Sequence, residues 1–145
     1  MSSPSYHGFG RGSSNAEVRW HHAAQAIAEV RKRNREANAV VLVEGRRDRI
    51  ALQNLGFEGP IEVLNRGWSV DDVLVHLLET YGRRSAQDRG PSVVVLMDWD
   101  RTGGRLQNNI RRNLESLDVK FDERLRSTLM PVSYTHLRAH ETLSY

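Results

Sequence analysis

The chain has 145 residues, no cysteine, and 21 lysine and arginine residues against 18 acidic residues, for a net charge of +3. This length supports one domain without an additional catalytic module, and the lack of cysteine excludes disulfides and a typical cysteine-based zinc module. The modest positive charge permits a polyanionic partner. Because the sequence shows neither a signal peptide nor a long apolar stretch, we expect a cytoplasmic protein with no membrane partner.

The N-terminal part of the sequence divides into a tail and a helix. Residues 1–15 are rich in serine and glycine and lack periodicity, which predicts a disordered tail. In residues 16–37 apolar side chains recur at helical spacing, so we expect an amphipathic helix that leads into the first strand. Its predicted apolar face consists of Trp20, Ala23, Ala24, Ile27 and Val30.

The first strand is predicted at Val40–Val43, an unbroken apolar run typical of a parallel strand that is covered on both faces. Glu44 stands at the C-terminal end of this run, and Gly45 allows the chain to turn into a helix. That helix is predicted from Arg46 to Leu55, with Gly56 ending it. The side chains expected to pack inward are Ile50, Ala51 and Leu55.

A second strand is predicted at Ile61–Leu64, and it is followed by a loop that reads Asn65-Arg66-Gly67. Because parallel strands end at one edge of a sheet, this loop is expected at the same edge as the carboxylate after the first strand. Ser69 has the chemistry of a helix N-cap, and the apolar spacing after it predicts a helix. His76 is expected on the outer side of that helix.

The third buried strand is predicted at Val93–Leu96, and two carboxylates follow it. Asp98 and Asp100 are one residue apart, so both side chains point the same way if the strand end is extended. Gly103 and Gly104 allow the chain to turn into a helix that begins at residue 102 or 104 and ends near 116. Ligands bind at this edge of open α/β sheets, and an Asp-x-Asp pair there suits magnesium.

The C-terminal part of the sequence holds two weaker elements and a tail. Val119–Phe121 predicts a short last strand, and Asp122–Met130 predicts a helix. Val132–Thr142 resembles the translation of a sequencing adapter, with an abrupt change in composition. We therefore expect the genuine sequence to stop near Pro131 and residues 132–145 to be a non-native tail.

The order of these elements predicts the fold class. Strands that alternate with helices over residues 38–131 indicate an α/β fold, with a mainly parallel sheet of about four strands and helices on both faces. For Glu44 to share a site with Asp98 and Asp100, the first and third strands must be neighbours in that sheet.

Two motifs in this arrangement resemble those of the Toprim family. Val43-Glu44-Gly45 followed by Asp48 resembles the first motif, and Asp98-Trp99-Asp100 with Gly103-Gly104 resembles the second. The resemblance covers roughly residues 38–117 and implies a Rossmann-like three-layer fold. Within the Toprim family, the sequence is most similar to small stand-alone members that resemble the ribonuclease that matures five-S ribosomal RNA. The resemblance implies a magnesium ion, or manganese, at Glu44, Asp98 and Asp100, with Glu44 as general acid or base.

Arginine and glycine residues accompany the predicted carboxylates. Arginine can hold phosphate bidentately beside a metal, and glycine allows close approach of the backbone. The residues predicted to bind phosphate or nucleic acid are Arg46, Arg47, Arg66, Gly67, Arg101, Gly103, Gly104 and Arg105.

Four further residues are expected near this edge of the sheet. Asp48 and Asn65 are predicted to support the site, although a first-turn position also allows Asp48 simply to compensate the helix dipole. Trp68 and Trp99 are expected to flank the site. Either indole could stack on nucleic acid bases, and Trp99 could equally close the core beneath the carboxylates.

These features predict a magnesium-dependent nuclease that cleaves nucleic acid phosphodiesters with metal-activated water, because no tyrosine or serine is placed as a nucleophile. RNA is favoured over DNA, since the family resemblance implies processing of ribosomal RNA. One alternative is a non-catalytic, RecR-like adaptor that binds nucleic acid. The other is a haloacid-dehalogenase-type phosphatase, because Asp98 to Thr102 also fits the Asp-x-Asp-x-Thr signature of that family.

Overall fold

The computed structural model describes residues 14–99 and 104–130. The predicted tails therefore lie outside the described residues, except that the first helix begins at Ser14, two residues before its predicted start. The elements in chain order are helix α1 (Ser14–Glu36), strand β1 (Val40–Val43), helix α2 (Arg46–Asn54), strand β2 (Ile61–Val63), helix α3 (Val70–Tyr81), strand β3 (Val93–Leu96), helix α4 (Arg105–Ser116), strand β4 (Phe121–Asp122) and helix α5 (Arg124–Leu129).

The four strands form one parallel sheet in the order β2-β1-β3-β4. In the two central strands every residue is buried, as their unbroken apolar sequences predict. Val43 of β1 pairs with Leu96 of β3 on one side and with Val63 of β2 on the other. The predicted adjacency of the first and third strands is therefore confirmed.

Alternate residues of the central strands enter two separate cores, which makes the fold a three-layer α/β structure. Val41 and Leu96 pack with side chains of α1, α2 and α5 on one face of the sheet. Leu42 and Val95 pack with α3 and α4 on the other face. Burial on both faces requires apolar side chains at consecutive positions, and this requirement explains the continuous apolar sequence of each central strand.

Three side chains that were predicted to pack inward are exposed instead. Ile50 is 37% exposed, because the inward positions of α2 are 48, 51 and 52, and residue 50 projects away from them. Trp20 is 39% exposed, since all of residues 15–22 of α1 are exposed and burial begins at Ala23. Ala24 is exposed because the buried positions of α1 are 23, 26, 27 and 30, and residue 24 lies beside that face. The predicted apolar faces of these two helices were therefore too wide.

The last strand and the last helix begin later than predicted. Asp118 has a φ of +57° and the N–H of Val119 bonds back to Leu114, so this segment forms the turn that ends α4. Pairing with β3 begins only at Phe121. Asp122 belongs to the strand, and its carboxylate accepts the N–H of Arg124, which starts α5.

The predicted N-cap of α3 is present, and it leads to a stability prediction. The Oγ of Ser69 accepts the N–H of Asp72 at 3.1 Å. We expect Ser69→Ala to lower the free energy of unfolding by about 1 kcal/mol, because a helix N–H loses its acceptor. Urea unfolding measures the change, and Ser116→Ala at the exposed end of α4 is the control. Equal stabilities of the two variants would contradict the prediction.

Candidate functional site at the carboxyl edge of the sheet

The pairing of β1 with β3 places two of the predicted acidic residues at one edge of the sheet. Glu44 comes directly after Val43, and Asp98 comes two residues after the Val43 partner, Leu96. Both acidic residues are partly exposed. The third predicted carboxylate, Asp100, lies outside the described residues. Within the described ranges, no three acidic or histidine side chains gather in a way that would hold a metal ion.

Asp98 has a second role that the sequence analysis did not predict. Its Oδ2 accepts the backbone N–H groups of Leu106 at 2.8 Å and Gln107 at 3.0 Å, so its carboxylate caps the start of α4. Its φ of +52° is left-handed, so the prediction that Asp98 continues an extended strand is wrong. Its Oδ1 accepts no hydrogen bond from the residues that the structure describes.

Asp48 connects the two sequence motifs. Its Oδ2 accepts the N–H of Gly45 at 3.0 Å at the start of α2, and its Oδ1 accepts the indole N–H of Trp99 at 3.1 Å. Asp48 and Trp99 are 6% and 3% exposed. Asp48 therefore joins the turn after β1 to the segment after β3. Trp99 belongs to the core, and this decides between the two roles considered for its indole.

Two groups of arginines differ in their availability at this edge. Arg46 and Arg47 in the first turn of α2, and Arg105 in the first turn of α4, are exposed. Arg66 instead donates from Nε to the carbonyl of Val63 at 2.7 Å and forms an ion pair with Glu62 at 2.6 Å. Phosphate binding by Arg66 stays a prediction, but its guanidinium already holds a structural position.

The remaining predicted residues occupy the loops at the strand ends. Asn65 is exposed, and its backbone N–H donates to the carbonyl of Glu44 at 3.1 Å, which ties the β2 loop to the β1 end. Gly67 has a φ of +83° and open space beside its Cα, so its backbone is accessible. Gly104 begins α4 with a φ of +121°. Arg101 and Gly103 lie outside the described residues.

Two side chains of this edge were missed in the sequence analysis. The Nε of Arg126 donates to the carbonyl of Met97 at 2.6 Å. The side-chain amide of Gln107 accepts the N–H of Met97 at 2.8 Å and donates to the carbonyl of Val95 at 3.3 Å. Both side chains replace strand pairing where β4 stops. Residue 107 lies on the inward face of α4 with Ile110 and Leu114, so a polar residue at this position could have indicated a buried hydrogen-bonding role. No pattern in the sequence around Arg126 indicates its contact with Met97.

The carboxylate of Glu62, on the strand that leads into the Asn65-Arg66-Gly67 loop, is held by three side chains. Glu62 accepts hydrogen bonds from Arg66 at 2.6 Å and from the hydroxyl of Tyr81 at 2.8 Å, and the Nε2 of His76 lies 3.3 Å away. Burial raises the pKa of Glu62, but these hydrogen bonds outweigh burial and hold the pKa below its usual value. Burial and the bond to Glu62 raise the pKa of Tyr81. His76 is thus partly buried against β2 rather than on the outer side of α3.

A cleft of about 620 Å³ beside β4 adjoins this edge through Arg126. Its lining includes neither Glu44 nor Asp98. Four arginines of the described ranges line the cleft, and three of them form ion pairs, Arg33 with Asp88, Arg111 with Glu123, and Arg124 with Asp122. The fourth, Arg126, donates to the backbone. The charge of the cleft therefore does not single it out as a site for a polyanion, and we place the candidate site at the carboxylates.

These observations define a three-layer α/β protein with carboxylates after two adjacent parallel strands, and comparison of sequences identifies its family. The chain is 30% identical over 109 residues to a UPF0292 protein of Thermococcus onnurineus. The match covers 75% of this chain and 74% of that protein. The chain belongs to the UPF0292 family.

Further relatives agree with this assignment. A UPF0292 protein of Methanosarcina acetivorans is 29% identical over 72% of this chain, and the match spans 66% of that protein's length. A solved structure described as a putative protein from Aquifex aeolicus is 28% identical, with a TM-score of 0.60 over 80% of this chain and 95% of that one. No protein-family model matches the chain. The comparisons thus establish family and fold, and function must be argued from the site.

Among the helices that the structure describes, none combines the length and the apolar character that a membrane span requires.

Proposed function

We propose that this protein is a magnesium-dependent nuclease that hydrolyses phosphodiester bonds, with structured RNA as its substrate. The observation that carries the proposal is the parallel pairing of β1 with β3, with Glu44 and Asp98 after their paired ends. Carboxylates at the carboxyl edge of a parallel sheet stand where ligands of such sheets bind. The resemblance of both motifs to the Toprim family supports the same assignment.

The donor chemistry of the described residues fits a magnesium ion. Magnesium uses one or two carboxylates and completes its shell with waters and substrate phosphates, so it does not require three protein ligands. Glu44 is partly exposed, and Asp98 uses Oδ2 for helix N–H groups while its Oδ1 accepts none from the described residues. A bound ion would polarise the phosphodiester and lower the pKa of an attacking water.

The cationic groups at this edge suit a polyanionic substrate. Arg46, Arg47 and Arg105 are exposed in the first turns of α2 and α4, the two helices that follow the carboxylate-bearing strands. Guanidinium groups at helix N-termini favour phosphate through both charge and hydrogen bonding. We assign to these arginines the binding of phosphates on either side of the cleaved bond.

End-labelled structured RNA, duplex DNA and single strands, incubated with Mg²⁺, Mn²⁺ or EDTA, test the proposal directly. We expect metal-dependent cutting of the structured RNA and a loss of at least about tenfold in Glu44→Gln, because one ligand or proton-transfer group is removed. Glu79→Gln on the exposed surface of α3 is the matched control and should cut like the wild type.

Two results would overturn the nuclease proposal. If the chain binds RNA and metal but cuts no nucleic acid, the adaptor alternative takes its place. If the chain instead hydrolyses p-nitrophenyl phosphate and no phosphodiester, the phosphatase alternative replaces the nuclease proposal.

A further inference from the structure

Trp68 is the most exposed large apolar side chain in the described part of the molecule. Half of its surface, 50%, is accessible to solvent, although an indole gains more from burial than most side chains. It lies in the loop between β2 and the N-cap of α3. Its position at a predicted ligand edge makes this exposed aromatic ring a candidate for contact with a ligand.

The Trp68 ring is held firmly in this exposed position. The guanidinium carbon of Arg66 lies 5.0 Å from the ring centroid, which is a cation–π geometry. The ring of His76 meets it edge-on at 5.6 Å and 89°. Arg66 and His76 are in turn both anchored on Glu62. Ligand binding to a ring fixed in this way costs little conformational entropy.

The position of this loop relates Trp68 to the carboxylates. The N–H of Asn65 donates to the carbonyl of Glu44 at 3.1 Å, so the loop starts directly beside the end of β1. The β2 end is separated from the β3 end, which leads to Asp98, by one strand, a distance of about 10 Å. Trp68 thus stands at the side of the candidate site that is opposite β4.

The charges around Trp68 indicate which part of a nucleotide it contacts. Asp71 and Asp72 are exposed in the first turn of α3 and disfavour a phosphate close to the ring. The exposed arginines of this edge lie instead at the starts of α2 and α4, as described above. Base faces are uncharged, and they stack on aromatic rings with little regard to sequence.

We propose that Trp68 is the stacking platform for an unpaired nucleobase next to the phosphate that lies at the carboxylate edge. The proposal rests on nucleic acid binding at that edge and adds a preference for looped or single-stranded nucleotides over continuous duplex. Arg66, under the ring, strengthens the stacking through its charge. The proposal makes Arg66 a positioning residue for Trp68 in addition to any contact with phosphate.

Binding of a fluorescently labelled RNA hairpin with a single-stranded overhang, measured by anisotropy in EDTA, tests the platform without cleavage. We expect Trp68→Ala to bind this RNA about tenfold more weakly, and Trp68→Phe to recover most of the affinity. A blunt, fully paired RNA should bind wild type and Trp68→Ala equally. Val75→Ala, at an exposed apolar position on α3, is the control and should bind like wild type.

Abasic nucleotides separate stacking from other effects of the substitution. Removing the bases of the overhang should weaken binding by the wild type about tenfold and should leave binding by Trp68→Ala unchanged. Equal binding of the intact RNA by the wild type and Trp68→Ala, or no binding by the wild type, would overturn the platform. If the nuclease proposal alone fails, the stacking effect persists in EDTA while no RNA is cut in Mg²⁺.

Discussion

Replacing Asp98 with asparagine is expected to reduce metal-dependent cleavage by about two orders of magnitude or more while leaving the fold nearly as stable as before. The reason is that Asp98 carries two separable functions. In the proposed site its negative charge would bind the metal, whereas its Oδ2 accepts two N–H groups of α4. Asparagine keeps one carbonyl oxygen for the helix, and it tolerates the left-handed φ of +52° better than most residues.

The comparison with Asp98→Ala makes this experiment decisive. Alanine removes the acceptor and fits a positive φ poorly, so we expect a loss of about 2 kcal/mol in the free energy of unfolding together with the loss of cleavage. Cleavage assays, urea unfolding and calorimetric titration with Mg²⁺ on both variants measure the two functions separately. If Asp98→Asn cleaves RNA at the same rate as the wild type, Asp98 is excluded from the metal site.

The sequence predicts the central strands and their edge better than it predicts the site geometry. Val40–Val43 and Val93–Leu96 are found where predicted, because burial on both faces leaves a continuous apolar pattern that few other structures produce. The adjacency of the two strands was inferred from their shared carboxylates and is confirmed. Ile50 was misplaced, because its apolar character says nothing about which face of a short helix is covered.

The contacts of the site depend on tertiary distances that no local pattern encodes. The left-handed backbone of Asp98 is a single-residue feature, and its helix contacts depend on where α4 begins. Arg126 lies 28 residues after Asp98 in the chain, and its guanidinium donates to the carbonyl of Asp98. The residues around Arg126 in the sequence do not distinguish it from an arginine on the solvent-exposed surface.

The second large effect is expected from Asp48→Ala, which should lower the free energy of unfolding by about 3 kcal/mol. The substitution leaves the N–H of Gly45 and the buried indole N–H of Trp99 without their acceptor. Asp71→Ala is the matched control, because Asp71 also lies in the first turn of a helix but is exposed. Urea unfolding measures both variants, and a similar small loss in each would show that Asp48 only compensates a helix dipole.

A double-mutant cycle tests whether the bond between Asp48 and Trp99 carries this effect. Trp99→Phe keeps an aromatic ring in the core but removes the indole N–H together with part of the ring volume. The cost of the lost volume is subtracted in the cycle, so the combination with Asp48→Ala should show a coupling of about 1 to 2 kcal/mol for the bond itself. Trp68→Phe, at an exposed ring, should be additive with Asp48→Ala. The bond joins the turn after β1 to the segment after β3, so it supports the positions that the strand pairing gives to Glu44 and Asp98. Asp48→Asn should consequently weaken Mg²⁺ binding about tenfold, although Asp48 is not assigned as a metal ligand.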